Sequence, residues 1–196
     1  MGHLGPELTG FLAAWLPPVP ARVLEIGCGD GALTARLADQ GFDVVGIDPE
    51  PPNGPRFVVT TLEGFRPKAR FDAAVAIRSL HHLRDLDRAV DSLAGALSAG
   101  ALLVVFEFAI ESIDDVALRW QRANGIERPL RGDLDDVIAL ADVRRALAGR
   151  FRELTFEPAP YIAHELDRAD LHEREIAAIE RGELKPAGAR LALELV

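Results

Sequence analysis

The chain of 196 residues has a single cysteine, Cys28, so no internal disulfide can form and the fold needs no oxidising compartment. Basic residues are in deficit: 22 Lys and Arg stand against 31 Asp and Glu, a formal charge of −9. That argues against a nucleic-acid backbone as main partner, because phosphate binding needs a concentrated positive surface. Long apolar runs are lacking too. The longest, "ALLVVFEFAI" (Ala101 to Ile110), is far short of a bilayer span and carries Glu107. The opening "MGHLGPELTGFLAAWLPPVP" has no basic n-region before its apolar stretch, so it does not read as a signal peptide. Gly2 would suit myristoylation, but Pro6 stands where Ser or Thr is needed. The expectation is a soluble, cytoplasmic protein, monomer or homodimer, with neither membrane nor nucleic acid as partner.

What is present is an ordinary globular composition, 48% hydrophobic and 27% charged, in a length that suits one domain. Leu4, Leu8, Phe11, Leu12 and Trp15 recur at helical spacing until Pro17 and Pro18. Strands and helices then alternate. "RVLEIG" (Arg22 to Gly27), "DVVGID" (Asp43 to Asp48), "RFVVT" (Arg56 to Thr60), "FDAAVAI" (Phe71 to Ile77) and "ALLVVFEFA" (Ala101 to Ala109) read as strands. Between them, "ALTARLADQG" reads as a helix closed by Gly41, and "LDRAVDSLAGALSAG" as one running to Gly100. Near-continuous apolar strands suit a parallel sheet covered on both faces. Beyond Ile110 helices are expected at Asp114 to Asn124, Leu134 to Leu147 and Arg168 to Arg181. A sixth strand, Arg152 to Pro158, and a last one, Arg190 to Val196, complete the pattern. No repeat, low-complexity tract or linker interrupts the chain. One α/β domain over residues 1–196 is therefore expected, with a helical insertion at 114–147 as a candidate lid.

"VLEIGCGDG" places Gly27, Gly29 and Gly31 where the first strand turns into a helix, and glycine there lets the backbone approach a ligand closely. Asp48 ends the second strand, at the edge where ligands bind in open α/β sheets, and can accept from both hydroxyls of a ribose. Gly27 to Ala32 also satisfies the G-x-G-x-x-A pattern of a dinucleotide site, so an NAD(P)-dependent oxidoreductase is the alternative. Two features weigh against it. Glu25 precedes the loop, where it would repel a pyrophosphate but attract an ammonium group. Tyr161 is followed four positions later by Glu165, not by the lysine of short-chain dehydrogenases.

In order along the chain, "VLEIGCGDG", "GIDPE", "FDAAVAIRSLHHL" and "LAGALSAGALLVVFE" resemble the motifs of class I S-adenosylmethionine (SAM)-dependent methyltransferases. The terminal "PAGARLALELV" resembles the antiparallel last strand of their Rossmann-like doubly wound sheet. The resemblance implies transfer of a methyl group from SAM to a small molecule, by O- or N-methylation, leaving S-adenosylhomocysteine. A SAM-binding subunit without catalysis is a further alternative. The resemblance implies that Glu25 and the backbone of Gly27, Cys28, Gly29 and Gly31 hold the methionine part, and it counts Arg78 among the cofactor contacts. It gives Asp48 to the ribose and Pro49 to the adenine side. After the third strand Thr61 or Leu62 stands where the family often has an acid, and Glu63 comes slightly late. Cys28 reads as a small filler rather than a nucleophile.

His81 and His82 follow the fourth strand, within reach of the transferred methyl, and read either as a general base or as turn fillers. On an extended segment neighbouring side chains diverge. His81 is then expected to face the methyl, His82 to turn into the loop, and Glu107 to orient the base or border the acceptor. Arg119, Arg122, Arg128 and Arg131 around Trp120 would suit an acidic acceptor, or simply a solvated helix. Tyr161 and His164 can border the acceptor pocket. "GDLDD" (Gly132 to Asp136) reads as a helix cap by Asp133 with Asp136 in the first turn, so no metal is expected.

Overall fold

A computed structural model describes residues 5–130 and 137–196. The first helix, α1 (Pro6–Trp15), begins on a proline, which suits the first helical turn. Leu8, Phe11 and Leu12 make its buried face. Seven strands follow: β1 (Arg22–Ile26), β2 (Asp43–Asp48), β3 (Phe57–Val59), β4 (Phe71–Ile77), β5 (Leu97–Phe108), β6 (Phe151–Ala159) and β7 (Gly188–Leu195). They lie in the order β3-β2-β1-β4-β5-β7-β6. The first five strands are parallel, while β7 inserts antiparallel between β5 and β6. This is the expected Rossmann-like doubly wound sheet with an antiparallel last strand.

Because side chains alternate across a strand, each strand feeds two cores. Val23, Ala73, Val75, Val104 and Phe106 join one cluster with α1 and with Leu33 and Leu37 of α2 (Ala32–Asp39). Leu24, Ile26, Ala74, Ala76 and Val105 join the other, with Val90 and Leu93 of α3 (Leu86–Ala96). The fully buried Val and Leu side chains among them, such as Val23, Leu24, Leu93 and Val104, contribute roughly 1.5–3 kcal/mol each.

The expected lid at 114–147 does not form one unit. Helix α4 (Asp115–Ala123), capped by the Asp114 carboxylate on the N–H groups of Val116 and Ala117, packs Ala117 into the first cluster. Helix α5 (Leu140–Leu147) buries Leu140, Val143 and Leu147 in the second. So α5 is core, and only the α4 side remains a candidate cover. Residues 137–139 are not helical, and the Glu111 carboxylate accepts from Leu140 and Ala141 where α5 begins. The proposed Asp133 cap lies outside the described residues.

The helix expected to reach Gly100 ends at Ala96, because Leu97 pairs with Phe71 and is fully buried there. The helix expected at 168–181 begins as a single 3₁₀ turn, Ala169–Leu171, before α7 (His172–Glu180). A one-turn helix that the sequence did not suggest, α6 (Ile162–Glu165), lies between β6 and α7.

Candidate active site

The glycine turn sits where the C-terminal ends of β1, β2 and β4 meet. Gly27 and Cys28 donate to the Ile47 carbonyl at 2.9 and 3.1 Å, which pins the turn to β2. Gly27 (φ +70) is needed for contact as well as conformation, since a Cβ there would lie 2.4 Å from the Ser79 Cβ. At Gly29 (φ +49) a Cβ would meet nothing within 4 Å. It would project into open space. Gly31 (φ +76) turns the chain into α2 against Phe57 and Pro52.

The turn borders a cleft of about 400 Å³ lined by Glu25, Gly27, Cys28, Gly29, Arg36 and Arg78 among others. Glu25 is buried, and the Thr34 hydroxyl donates to its carboxylate. Burial, opposed by that hydrogen bond and reinforced by Asp30 and Asp48, pushes the Glu25 carboxyl up to about 7. Asp48 accepts from the N–H of Gly29 at 3.1 Å and from that of Glu50 at 2.9 Å, so its carboxylate stands at the rim of the turn. Pro49 beside it is exposed. Cys28 packs where a Cβ on Gly46 would come within 2.8 Å of it, and burial pushes its thiol up to about 12. At pH 7 that thiol is neutral.

Two residues considered for the cofactor have other work. The Leu62 side chain is buried in the second cluster and does not line the cleft beside the glycine turn. Glu63 accepts from the Arg84 N–H at 3.2 Å, holding the segment that leads into α3.

The tandem histidines differ most from expectation. They lie on a 3₁₀ turn, Leu80–His82, not on an extended segment, so their rings stay together with centroids 4.0 Å apart. His81 is the buried one, at 4% exposure, against the edge of Phe108. His82 is the exposed one. The two side chains therefore do not diverge as on a strand; His81 is turned inward and His82 outward. Burial, His81 and Arg78 lower the His82 pKa, with Glu107 and Glu165 opposing. A neutral imidazole at pH 7 follows.

Glu107 is fully buried and does not border an acceptor space. Its carboxylate accepts from Ser79 and Leu80 at 3.1 and 2.7 Å, from Phe108 at 2.8 Å, and from Nδ1 of His81. It ties the β4 turn to β5 and orients His81.

Tyr161 is also fully buried, stacked on Phe108 with centroids 4.8 Å apart. Gly188 makes room for it, because a Cβ there would lie 2.8 Å from the Tyr161 Cβ. Arg78 reaches across from the end of β4 to Glu165 and the His164 carbonyl. Arg119 is exposed on α4, and no hydrogen bond or ion pair among the described residues joins it to this group. Sequence reasoning missed Thr34, Ser79, Glu165 and Glu175. Thr34 alone had a signal, since it stands one helical turn after Gly31 on the face toward β1. Among the described residues no cluster of His, Cys, Asp or Glu could hold a metal ion.

A methyltransferase domain family matches residues 4–170. An uncharacterized methyltransferase of Mycobacterium bovis is 30% identical over 177 residues, covering 71% of this chain and 89% of that one. A ubiquinone biosynthesis O-methyltransferase of Bradyrhizobium is 32% identical over 97 residues, covering 43% of this chain and 38% of that one. Among solved structures, the N-methyltransferase NodS from Bradyrhizobium japonicum, in complex with S-adenosyl-L-homocysteine, aligns with a TM-score of 0.60. It is 19% identical, over 98% of this chain and 89% of that one. With the sheet order and the glycine turn, these likenesses decide against an oxidoreductase: the chain belongs to the methyltransferase domain family and is a class I SAM-dependent enzyme.

Proposed function

We propose that this enzyme methylates a small-molecule acceptor in the cytoplasm, at oxygen or nitrogen, with the cofactor seated in the cleft beside the glycine turn. One observation carries the reading. A buried acid, Glu25, lies beneath a turn that leaves open space at Gly29 and has a second acid, Asp48, at its rim. Such a cleft suits a ligand that bears both an ammonium group and a ribose. SAM supplies, when bound, a methyl group already activated on a sulfonium, so the protein's share is alignment and exclusion of water. Glu25 would hold the ammonium, Asp48 the ribose hydroxyls, and the glycine backbone would permit close approach.

On the acceptor side His82 is the better base of the two histidines. It is exposed, neutral at pH 7, and near Glu165 and Arg78. His81, fixed by Glu107, would position it. The α4 helix is our candidate cover for the acceptor, and Arg119 on its exposed side would favour an anionic one.

Calorimetry and turnover test this reading. Asp48→Ala should lose about a hundredfold in SAM affinity, as for two charge-assisted hydrogen bonds. Wild-type protein should form S-adenosylhomocysteine with at least one member of a panel of small phenols and amines. Wild-type affinity in Asp48→Ala sinks the cofactor assignment. SAM binding with no product across the panel places the acceptor outside small phenols and amines. With an acceptor in hand, His82→Ala should cut turnover by roughly 10²–10⁴ at unchanged SAM affinity and remove a rise in rate through the acid side of neutrality. Retained activity in His82→Ala means that positioning alone suffices.

A further inference from the structure

Arg78 holds φ +56, a left-handed conformation shared among described non-glycine residues only by Asp167. Residues strained in this way cluster where a function demands it. Its N–H donates to the Phe106 carbonyl at 2.8 Å, which fixes the bend at the end of β4. The bend lets one residue serve two places. Arg78 lines the cleft with Glu25 and Gly27, while its guanidinium contacts Oε2 of Glu165 through Nε at 3.1 Å and Nη2 at 2.9 Å. Nη1 donates to the His164 carbonyl at 3.2 Å.

The far end of this bridge is α6. Its start is set by the buried Glu175 carboxylate, which accepts from the N–H groups of Tyr161, Ile162 and Ala163 at 2.8, 3.0 and 2.8 Å. Next to it the Tyr161 hydroxyl is buried with no hydrogen-bond partner among the described residues. Burial raises its pKa above all, the Glu107 and Glu165 charges raise it further, and Arg78 opposes them. The Glu165 carboxylate lies near enough to the hydroxyl to add to the rise. A buried donor beside a carboxylate engaged elsewhere is costly, so an arrangement that pairs them is within reach.

We propose that Arg78 binds the carboxylate of the cofactor's methionine half and in doing so releases Glu165 to the Tyr161 hydroxyl, so that filling the cleft resets α6 on the acceptor side. The proposal rests on the cleft being the cofactor site. A ligand carboxylate competes with Glu165 for one planar fork, which recognises either carboxylate in the same way. Arg36 also lines the cleft, but its guanidinium is bonded to the Thr9 hydroxyl on α1, so it offers no path to α6. Arg78 is thus a positioning residue for the acceptor wall as well as a cofactor contact.

Two probes separate these roles: S-adenosylhomocysteine, and 5′-methylthioadenosine, which keeps the nucleoside and thioether but lacks the amino-acid group. Arg78→Met should weaken S-adenosylhomocysteine roughly tenfold to a hundredfold and leave 5′-methylthioadenosine unchanged. Glu165→Gln, which frees the guanidinium, should tighten S-adenosylhomocysteine several-fold. Hydrogen exchange of the 161–165 amides should slow when S-adenosylhomocysteine saturates the wild type. It should not slow with 5′-methylthioadenosine, nor in saturated Arg78→Met or Tyr161→Phe. Equal weakening of both probes by Arg78→Met overturns the proposal, as does selective loss in Arg36→Met instead. So does a weaker Glu165→Gln, or unchanged slowing in Arg78→Met. If wild-type protein binds neither probe, the cleft assignment falls and takes the proposal with it. If it binds both and Arg78→Met does not separate them, the Arg78 proposal alone falls.

Discussion

Glu25 and the glycines around it show how much of the chemistry sits in single residues. Placed beneath the turn, Glu25 loses hydration, and its carboxyl rises from 4.5 to about 7 although the Thr34 hydroxyl opposes the shift. An ammonium ligand needs the ionised form, so below that pKa binding must first remove a proton. Affinity for S-adenosylhomocysteine should therefore be near full above about pH 8, halve at about pH 7, and fall by about tenfold per unit below about pH 6. Calorimetry from about pH 5.5 to about pH 8.5 reads this directly, and Glu25→Gln should bind weakly with no such slope. A slope preserved in Glu25→Gln would assign the proton to another group. Two glycines two positions apart separate conformation from contact. Gly29→Ala meets open space and bears only the left-handed strain, about 1–2 kcal/mol. Gly27→Ala adds a collision with Ser79 and should be clearly less stable in chemical denaturation.

At the scale of elements, the first five strands were legible because buried parallel strands are written as apolar runs between glycine and acid punctuation. The site was legible in part for the same reason: Glu25, the glycines and Asp48 sit at strand ends that local pattern marks. What failed was everything set by partners distant in sequence. Leu97 reads as helix yet pairs with Phe71. The turn at His81 and His82 is shaped by Glu107, whose carboxylate takes the N–H groups of Ser79 and Leu80, and nothing in "SLHHL" announces it. Glu175 likewise looks like a surface acid on α7 but seats α6. Glu175→Ala should strand three N–H donors, lose about 3 kcal/mol or more in denaturant titration, and speed exchange at residues 161–165. The helices of the former lid should divide in the same way. Leu147→Ala in α5 empties core and should lose about 2–5 kcal/mol, while Arg119→Glu on exposed α4 should stay within about 0.5 kcal/mol. Equal losses in the two variants would mean that α4 is as structural as α5.

The molecule as a whole assembles the cleft from residues that no short segment holds together. Glu25 ends β1, Asp48 ends β2 and Arg78 follows β4, and they meet where the strand order turns from β1 toward β2 on one side and β4 on the other. In open sheets of this kind that reversal leaves a crevice at the carboxyl ends of the strands. The unfolded chain therefore has no cofactor site, and a ligand of the folded cleft must stabilise the whole domain. At a concentration one hundred times its Kd, S-adenosylhomocysteine should add about 2.7 kcal/mol. For a chain of this size that corresponds to a rise in Tm of about 5–11 °C. The same free concentration gives Asp48→Ala a quite different result. If its affinity is a hundredfold lower, the ligand is only at its Kd and adds about 0.4 kcal/mol, a rise of one or two degrees. NAD should leave both proteins unmoved, because a pyrophosphate beside Glu25 and Asp48 is repelled. Thermal scans of the two proteins with each ligand test the construction of the cleft without any knowledge of the acceptor. A rise with NAD as large as that with S-adenosylhomocysteine, or an undiminished rise in Asp48→Ala, would move the cofactor out of this crevice.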